Sequence, residues 1–144
     1  MSQLLYLVHL YSIKDGLTPK EQFNRSYALT CLADKLDGLR PKELISLTAD
    51  LKRMDIFDMK REDMAVVSQI GEKVVEIQEE LEEKMIYDFL KAPNINKHSI
   101  FRKIYMGFWR LVLGEIEVDG SCEMDPETII YFFTLLSNHL DFKF

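Results

Sequence analysis

The segment from residue 61 to residue 92 has the longest regular hydrophobic period in the chain, and it limits how the rest can fold. It contains no proline and one glycine, Gly71. Its apolar residues recur at steps of three and four, which places them on one face of an α-helix. The pattern predicts one helix, roughly 48 Å long, with glutamates on its other face. The apolar face consists of Met64, Val67, Ile70, Val74, Ile77, Leu81, Met85 and Phe89.

Shorter helical segments surround this one, separated by polar turns. The first covers Leu4 to Tyr11 and ends before Gly16. The second is expected to bury Phe23, Tyr27, Thr30, Cys31 and Leu36, with Leu29 and Leu32 alongside. The predicted ranges besides the first are Pro19–Leu36, Pro41–Ile56, the long helix 61–92, Lys97–Leu113 and Pro126–Leu140. We therefore predict an all-α fold and one domain over residues 1–144, with about six helices in antiparallel hairpins. They form either a helical repeat or an irregular bundle around the helix 61–92.

A turn phrase recurs where these helices begin. Asp15-Gly16-Leu17-Thr18-Pro19-Lys20-Glu21 is repeated as Asp37-Gly38-Leu39-Arg40-Pro41-Lys42-Glu43, and looser copies occur at 58–62 and 124–127. Glycine commonly ends helices, proline fits their first position, and a glutamate three residues after the cap completes a capping box. The phrase is therefore either recurring cap chemistry or the mark of a helical repeat with about forty residues per hairpin.

Net charge and cysteine content restrict the classes of partner and compartment. The formal net charge is -6, whereas a surface that binds nucleic acid over most of its area is basic. Cys31 and Cys122 form no paired motif, which favours reduced thiols in an intracellular compartment. The first sixteen residues lack the basic start and cleavage site of a signal peptide. No apolar run reaches the length of a membrane span.

The sequence contains no recognisable catalytic, nucleotide or zinc motif. Its six glycines are scattered, and its three histidines are isolated. We expect no enzyme activity, no cofactor, no metal and no small-molecule substrate. Residues 117–128 partly resemble an EF-hand loop, but Cys122 stands where the turn needs glycine and Thr128 where a glutamate closes the site. A polar turn in which Asp125 caps the last helix is the preferred interpretation.

The predicted helix 97–113 carries four cations, Lys97, Arg102, Lys103 and Arg110, beside Trp109, and no acidic residue. Lys103, Gly107 and Arg110 share one strip, where the glycine leaves the backbone accessible. Either this strip receives another helix or a phosphate backbone, or its cations face the acidic side of the helix 61–92. We favour the second interpretation, so RNA binding is expected only through this local basic strip.

The last predicted helix has more apolar surface than one packing face requires. Phe132, Phe133, Phe142 and Phe144 lie in or after it, and the chain ends without a polar face. We expect a partner chain to cover these rings, together with the strip around Trp109. The alternative is that the helix is buried by the chain's own helices.

The segment Leu39-Arg40-Pro41-Lys42-Glu43-Leu44, continued through Leu51-Lys52-Arg53-Met54-Asp55, resembles the repeat unit of organellar helical-repeat proteins of the FAST-kinase-like and heptatricopeptide types. The resemblance covers residues 17–92. It implies a mitochondrial setting, with a cytoplasmic one otherwise, and a role in a ribosome or other large assembly. We expect a non-catalytic scaffold or adaptor subunit that binds protein partners. The alternative is a small acidic regulator, for example one encoded by a phage, that presents its glutamates to a basic target.

Overall fold

The computed structural model describes residues 2–55, 59–92, 95–96, 98–119, 126–127, 130 and 133–134. All regular elements in these ranges are helical, which confirms the predicted all-α class. Short 3-10 turns occupy Leu36–Gly38 and Gln78–Glu80. The α-helices are α1 (Ser2–Ile13), α2 (Pro19–Ala33), α3 (Pro41–Arg53), α4 (Arg61–Ile77), α5 (Glu83–Lys91) and α6 (Ser99–Asp119).

The six helices form three pairs, α1–α2, α3–α4 and α5–α6, and the pairs are stacked. The helices α1, α3 and α5 contact one another in that order, and α2, α4 and α6 form a second row beside them. The rings of Phe89 on α5 and Phe108 on α6 meet edge to face, with centroids 5.7 Å apart. Stacked helix pairs bury a continuous core that no single pair can bury alone.

The helices α2 and α4 run in the same direction. Three contacts of α4 with α2 and with the turn after α2 show this, because the two partners of each contact are 36 or 37 residues apart. In antiparallel helices the number of residues between the two partners would change steadily from one contact to the next. The three contacts join Ser26 with Asp63, Gln69 with the carbonyl of Ala33, and Lys73 with Asp37.

The single long helix predicted for residues 61–92 is wrong. The segment forms α4, then the 3-10 turn at Gln78–Glu80, then α5, and the N–H of Leu81 donates to the carbonyl of Gln78 at the break. Glutamates three and four residues apart around the break repel one another along a continuous helix. The apolar period continues through the break because α4 and α5 each bury one face, so the period alone cannot reveal two helices.

The predicted buried face of α2 is only partly right, because Leu29, Leu32 and Leu36 are buried but its aromatic residues are not. Phe23, Tyr27 and Thr30 are exposed, and the helix ends at Ala33 rather than at Leu36. The residues it buries are Arg25, Ala28, Leu29 and Leu32. Two apolar stripes run along this helix, and the aliphatic one packs into the core.

Other predicted helix ends shift by a few residues. The third helix ends at Arg53 rather than Ile56. The basic helix begins at Ser99 and continues to Asp119. In the last predicted helix, Pro126, Glu127, Ile130, Phe133 and Thr134 are helical, and its other residues lie outside the described ranges.

The predicted caps are present where the turn phrase begins a helix. Thr18 Oγ1 accepts the Glu21 N–H, and Glu21 accepts the Thr18 N–H, which completes the capping box. Before α3, Glu43 accepts the N–H of Arg40. The Arg40 side chain has no acceptor to return the bond, so this cap is only half complete. Gly16 ends the preceding turn with a φ of 71°, which glycine adopts without strain.

A lysine lies in the core between the second and third pairs. Lys52 has no solvent exposure, and its Nζ donates to the carbonyl of Phe89 at 2.9 Å. The same atom lies 4.6 Å from the centre of the Phe89 ring and 5.2 Å from that of Tyr105. The final carbonyls of a helix and the faces of aromatic rings both attract cations. Burial raises the pKa of the Tyr105 hydroxyl, so this group stays neutral beside the lysine.

Candidate partner-binding surfaces

The basic strip of α6 is partly neutralised by the chain itself. Lys103 Nζ donates to both carboxylate oxygens of Glu72 on α4, at 2.9 and 2.8 Å. Lys103 therefore does contact an acidic residue of the segment 61–92, as the second interpretation expected. The pair is about half exposed on both sides, so its contribution to stability is modest.

Arg102 and Arg110 differ from Lys103. Both are exposed, and neither forms an ion pair with any residue that the structure describes. They border a groove of about 550 Å³ between α4 and α6, whose lining is Val75, Gln78, Ser99, Arg102, Lys103, Met106, Gly107 and Arg110. Trp109 lies on α6, and its side chain is outside the described part.

Gln78, in the 3-10 turn after α4, packs directly against Gly107 of α6. A Cβ placed on Gly107 would lie 2.0 Å from Gln78 Oε1, so only glycine fits the present side-chain position. The same oxygen is buried and accepts no hydrogen bond from the described residues. The glycine predicted to leave the backbone accessible is therefore a helix-contact position.

The apolar end of the chain is only partly described. Phe133 is half-buried and packs against the chain's own core. Phe132, Phe142 and Phe144 lie outside the described ranges, so the proposal that a partner covers them stays a prediction. Ile130, one turn before Phe133, is 66% exposed.

Five exposed apolar side chains lie at the other end of the stack, on α1 and α2, where Tyr6 and Ile13 also border grooves shared with α3. We call this surface the outer face of the first pair: Tyr6, Leu10, Ile13, Phe23 and Tyr27. Their exposed fractions range from 40% to 64%. On α1 the three residues are spaced i, i+4 and i+7, and on α2 the two aromatic residues are spaced i, i+4, so each set shares one helix face.

Sequence reasoning missed this surface although a signal was present. The first helix is apolar on most of its circumference, yet it buries only Val8 fully. Two competing apolar stripes on α2 were a second signal. A helix with more apolar surface than one core can cover exposes part of it.

A charged cluster lies in a cleft of about 550 Å³ formed by α1, α3 and α5. Asp50 is buried; its Oδ1 lies 3.0 Å from His9 Nδ1 and accepts a hydrogen bond from Arg53 Nη1 at 2.8 Å. An imidazole oriented by a carboxylate is one component of general acid–base catalysis. Within the described residues no hydroxyl or thiol hydrogen-bonds the His9 ring. The cluster joins α1 to α3.

Candidate metal and thiol chemistry has little described structure to support it. No group of three or more His, Cys, Asp or Glu residues in the described ranges is arranged to hold a metal ion. Most of the loop 117–128, including Cys122, lies outside these ranges. Cys31 is a half-buried free thiol on α2. No described helix is long and apolar enough to cross a membrane.

Comparison with protein-family models, with curated proteins and with solved structures finds no match for this chain.

Proposed function

We propose that this chain is a non-catalytic helical adaptor subunit, which binds a partner protein through the outer face of its first helix pair. The observation that carries the proposal is the exposure of five large apolar side chains on that face. Exposed apolar patches on soluble domains mark interaction sites. Tyrosine and phenylalanine are also enriched at the centres of protein interfaces.

The spacing on α1 indicates how the partner binds. Tyr6, Leu10 and Ile13 have the i, i+4, i+7 pattern with which a helix enters an apolar groove. Phe23 and Tyr27 extend the apolar surface onto α2. Burying such a side chain completely contributes roughly 1.5–3 kcal/mol, and about 1.4 kcal/mol is a tenfold change in affinity. Replacing two of these side chains should therefore lower the affinity for the partner by a measurable amount.

The experiment compares two double variants in purification from the native source. Phe23→Glu with Tyr27→Glu places charges on the outer face, whereas Lys20→Glu with Thr30→Glu changes exposed positions on the same helix. We expect the first variant to lose the co-purifying partner and to bind the purified partner at least about tenfold more weakly. The control variant should bind normally, and circular dichroism should show equal helicity in both.

Normal partner binding by the Phe23/Tyr27 variant would contradict the proposal, as would a wild-type chain that stays monomeric with no partner. The resemblance to organellar helical-repeat proteins directs the first search to mitochondrial ribonucleoprotein assemblies. In that setting, we infer a role in the mitochondrial ribosome or a similar assembly.

A second candidate function is that of an acidic regulator that binds a basic target. It is favoured by the break between α4 and α5, where Glu79, Glu80 and Glu82 are exposed within one turn. Glu79→Lys with Glu80→Lys should then abolish target binding, whereas Asp15→Lys with Glu62→Lys should not. Binding that survives the first change and does not depend on salt would exclude this candidate.

A further inference from the structure

The exposed side of α6 carries a row in which an apolar residue stands between two cations. Arg102, Met106 and Arg110 follow one another at intervals of four residues, so they lie on the same side of the helix. The two arginines are roughly 12 Å apart along the axis. Both are exposed and Met106 is half-buried, and all three line the groove against α4.

The neighbouring row has a different character. Lys103 is held by Glu72, and Gly107 is buried against the side chain of Gln78. An incoming element therefore meets two available cations with an apolar floor between them. Val75 of α4 and Gln78 of the following 3-10 turn form the opposite wall.

This charge pattern distinguishes between two classes of anionic partner. A nucleic-acid backbone carries a charge at roughly every 3.4 Å per strand, so it would also place phosphates over the apolar Met106, midway between the arginines. A helix can place its carboxylates at the spacing of the two arginines alone. A partner helix with a carboxylate, an apolar residue and a second carboxylate at i, i+4 and i+8 matches the row in both charge and spacing.

We propose that the groove between α4 and α6 is a second docking surface, which receives an acidic amphipathic helix of a partner protein. Arg102 and Arg110 pair with its two carboxylates, and Met106 contacts the apolar residue between them. No residue of α1 or α2 lines this groove, so the proposal does not depend on the outer face of the first pair.

The test measures binding of labelled probes to the full chain by fluorescence anisotropy. One probe is a synthetic helical peptide of about 20 residues with the carboxylate–leucine–carboxylate row. A second has the same composition with the carboxylates on opposite faces, and a third is single-stranded oligouridine. We expect the first peptide to bind at least tenfold more tightly than the other two, with an affinity that falls as salt increases.

The variant Arg102→Glu with Arg110→Glu should reduce binding of the first peptide at least tenfold. Lys20→Glu with Arg61→Glu makes the same change in net charge at exposed positions elsewhere, and should leave this binding unchanged. Equal loss in both variants would show a general charge effect and overturn the proposal. Tighter binding of oligouridine would also overturn it, in favour of nucleic acid, as would no peptide binding at about 1 mM.

The proposed function and this inference fail separately. Phe23→Glu with Tyr27→Glu should leave the acidic peptide bound, because those residues do not line the groove. Met106→Asp should weaken peptide binding at least tenfold while partner binding through the first pair persists. Peptide affinity that is unaffected by the aspartate would contradict the contact proposed at Met106.

Discussion

The junction between the first and second helix pairs and the junction between the second and third are built from different chemistry. The first has an aliphatic core, with residues such as Leu29, Leu32 and Leu47, beside the buried carboxylates of Asp50 and Asp63, which bond to the first pair. The second has a core of aromatic rings around the buried Lys52. It also has two glycines, Gly71 and Gly107, that pack directly against side chains and leave no space for a Cβ.

The difference shows that two junctions with equally buried residues do not tolerate substitutions equally well. Aliphatic side chains are interchangeable at constant volume, usually at a cost below about 1.5 kcal/mol. A buried cation depends on particular acceptors and ring faces, and a helix contact through glycine has no room for one more carbon. We therefore expect single substitutions to disrupt the second junction more readily than the first.

The largest effect is expected from Lys52. Lys52→Ala leaves a cavity and removes the donor to the end of α5, so it should lower the free energy of unfolding by about 3–5 kcal/mol. Lys52→Met keeps most of the volume and should cost about 1–3 kcal/mol. Urea denaturation measures both.

The matched change in the first junction is Leu29→Met, which should cost below about 1.5 kcal/mol. If Lys52→Met proved as stable as the wild type, the lysine would be no more than a volume filler. An apolar residue can replace a buried ionic group without loss in some proteins, so this comparison decides the role of the charge.

The glycines of the second junction should differ from each other. A Cβ on Gly71 would lie 2.2 Å from Cγ1 of the buried Ile100, so Gly71→Ala should cost about 1–3 kcal/mol. At Gly107 the obstacle is the end of the Gln78 side chain, which can rotate away, so Gly107→Ala should cost less. Combining Gly71→Ala with Ile100→Ala should show positive coupling in a double-mutant cycle. Additive losses would show that the two residues are not in conflict.

A smaller effect is expected at the caps of the first and second pairs. Thr18→Ala removes one bond of the complete box before α2 and should cost about 1 kcal/mol. Arg40→Thr supplies the missing acceptor before α3 and should raise stability by a few tenths to about 1 kcal/mol. Thermal unfolding by circular dichroism measures both changes. A loss of stability in Arg40→Thr would mean that the contact of Arg40 Nε with Glu43 outweighs the cap.

The smallest effect concerns pH and the polar edge of the first junction. The ion pair with Lys73 lowers the pKa of Asp37 from its ordinary 3.8 and raises that of Lys73 from 10.5. The stabilisation from Asp37 is therefore present above its ordinary pKa and lost as pH falls below it, and that from Lys73 is lost as pH rises above 10.5.

The variant Asp37→Asn tests this contribution. As pH falls from neutral, the urea midpoint of unfolding should decrease slightly less in the variant than in the wild type. The pair is exposed, so salt should reduce the difference. If the variant and the wild type lose the same stability at low pH, that loss comes from Glu21 and Glu43 instead. Their pKa values are lowered by Lys14 and by the Arg40 N–H.

Local features of the fold were predictable from the sequence. The all-α class, the helix starts at Pro19 and Pro41, and the box between Thr18 and Glu21 all agree with the structure. These features depend on backbone geometry and on contacts between residues three or four apart. Such contacts can be predicted from the sequence because the two residues are close neighbours in the chain.

The candidate sites were less predictable. Lys103 and Arg110 were identified from composition, and a contact of these cations with the acidic side of the segment 61–92 was expected, but its partner Glu72 was not named. The outer face of the first pair was not identified, because Phe23 and Tyr27 were assigned to the core together with Leu29 and Leu32. Either stripe of α2 satisfies the helical period, and only the packing of α1 and α4 against this helix decides which one is buried.

By itself the sequence determined which segments are helices and where two of them begin, because helix formation and capping are local. The tertiary structure decided that residues 61–92 form two helices, and that Lys52 is buried. The acceptors and rings around Lys52 belong to α5 and α6, at residues 37 or more positions further along the chain. No periodicity of neighbouring residues contains that information, since burial is set by distant helices that pack together.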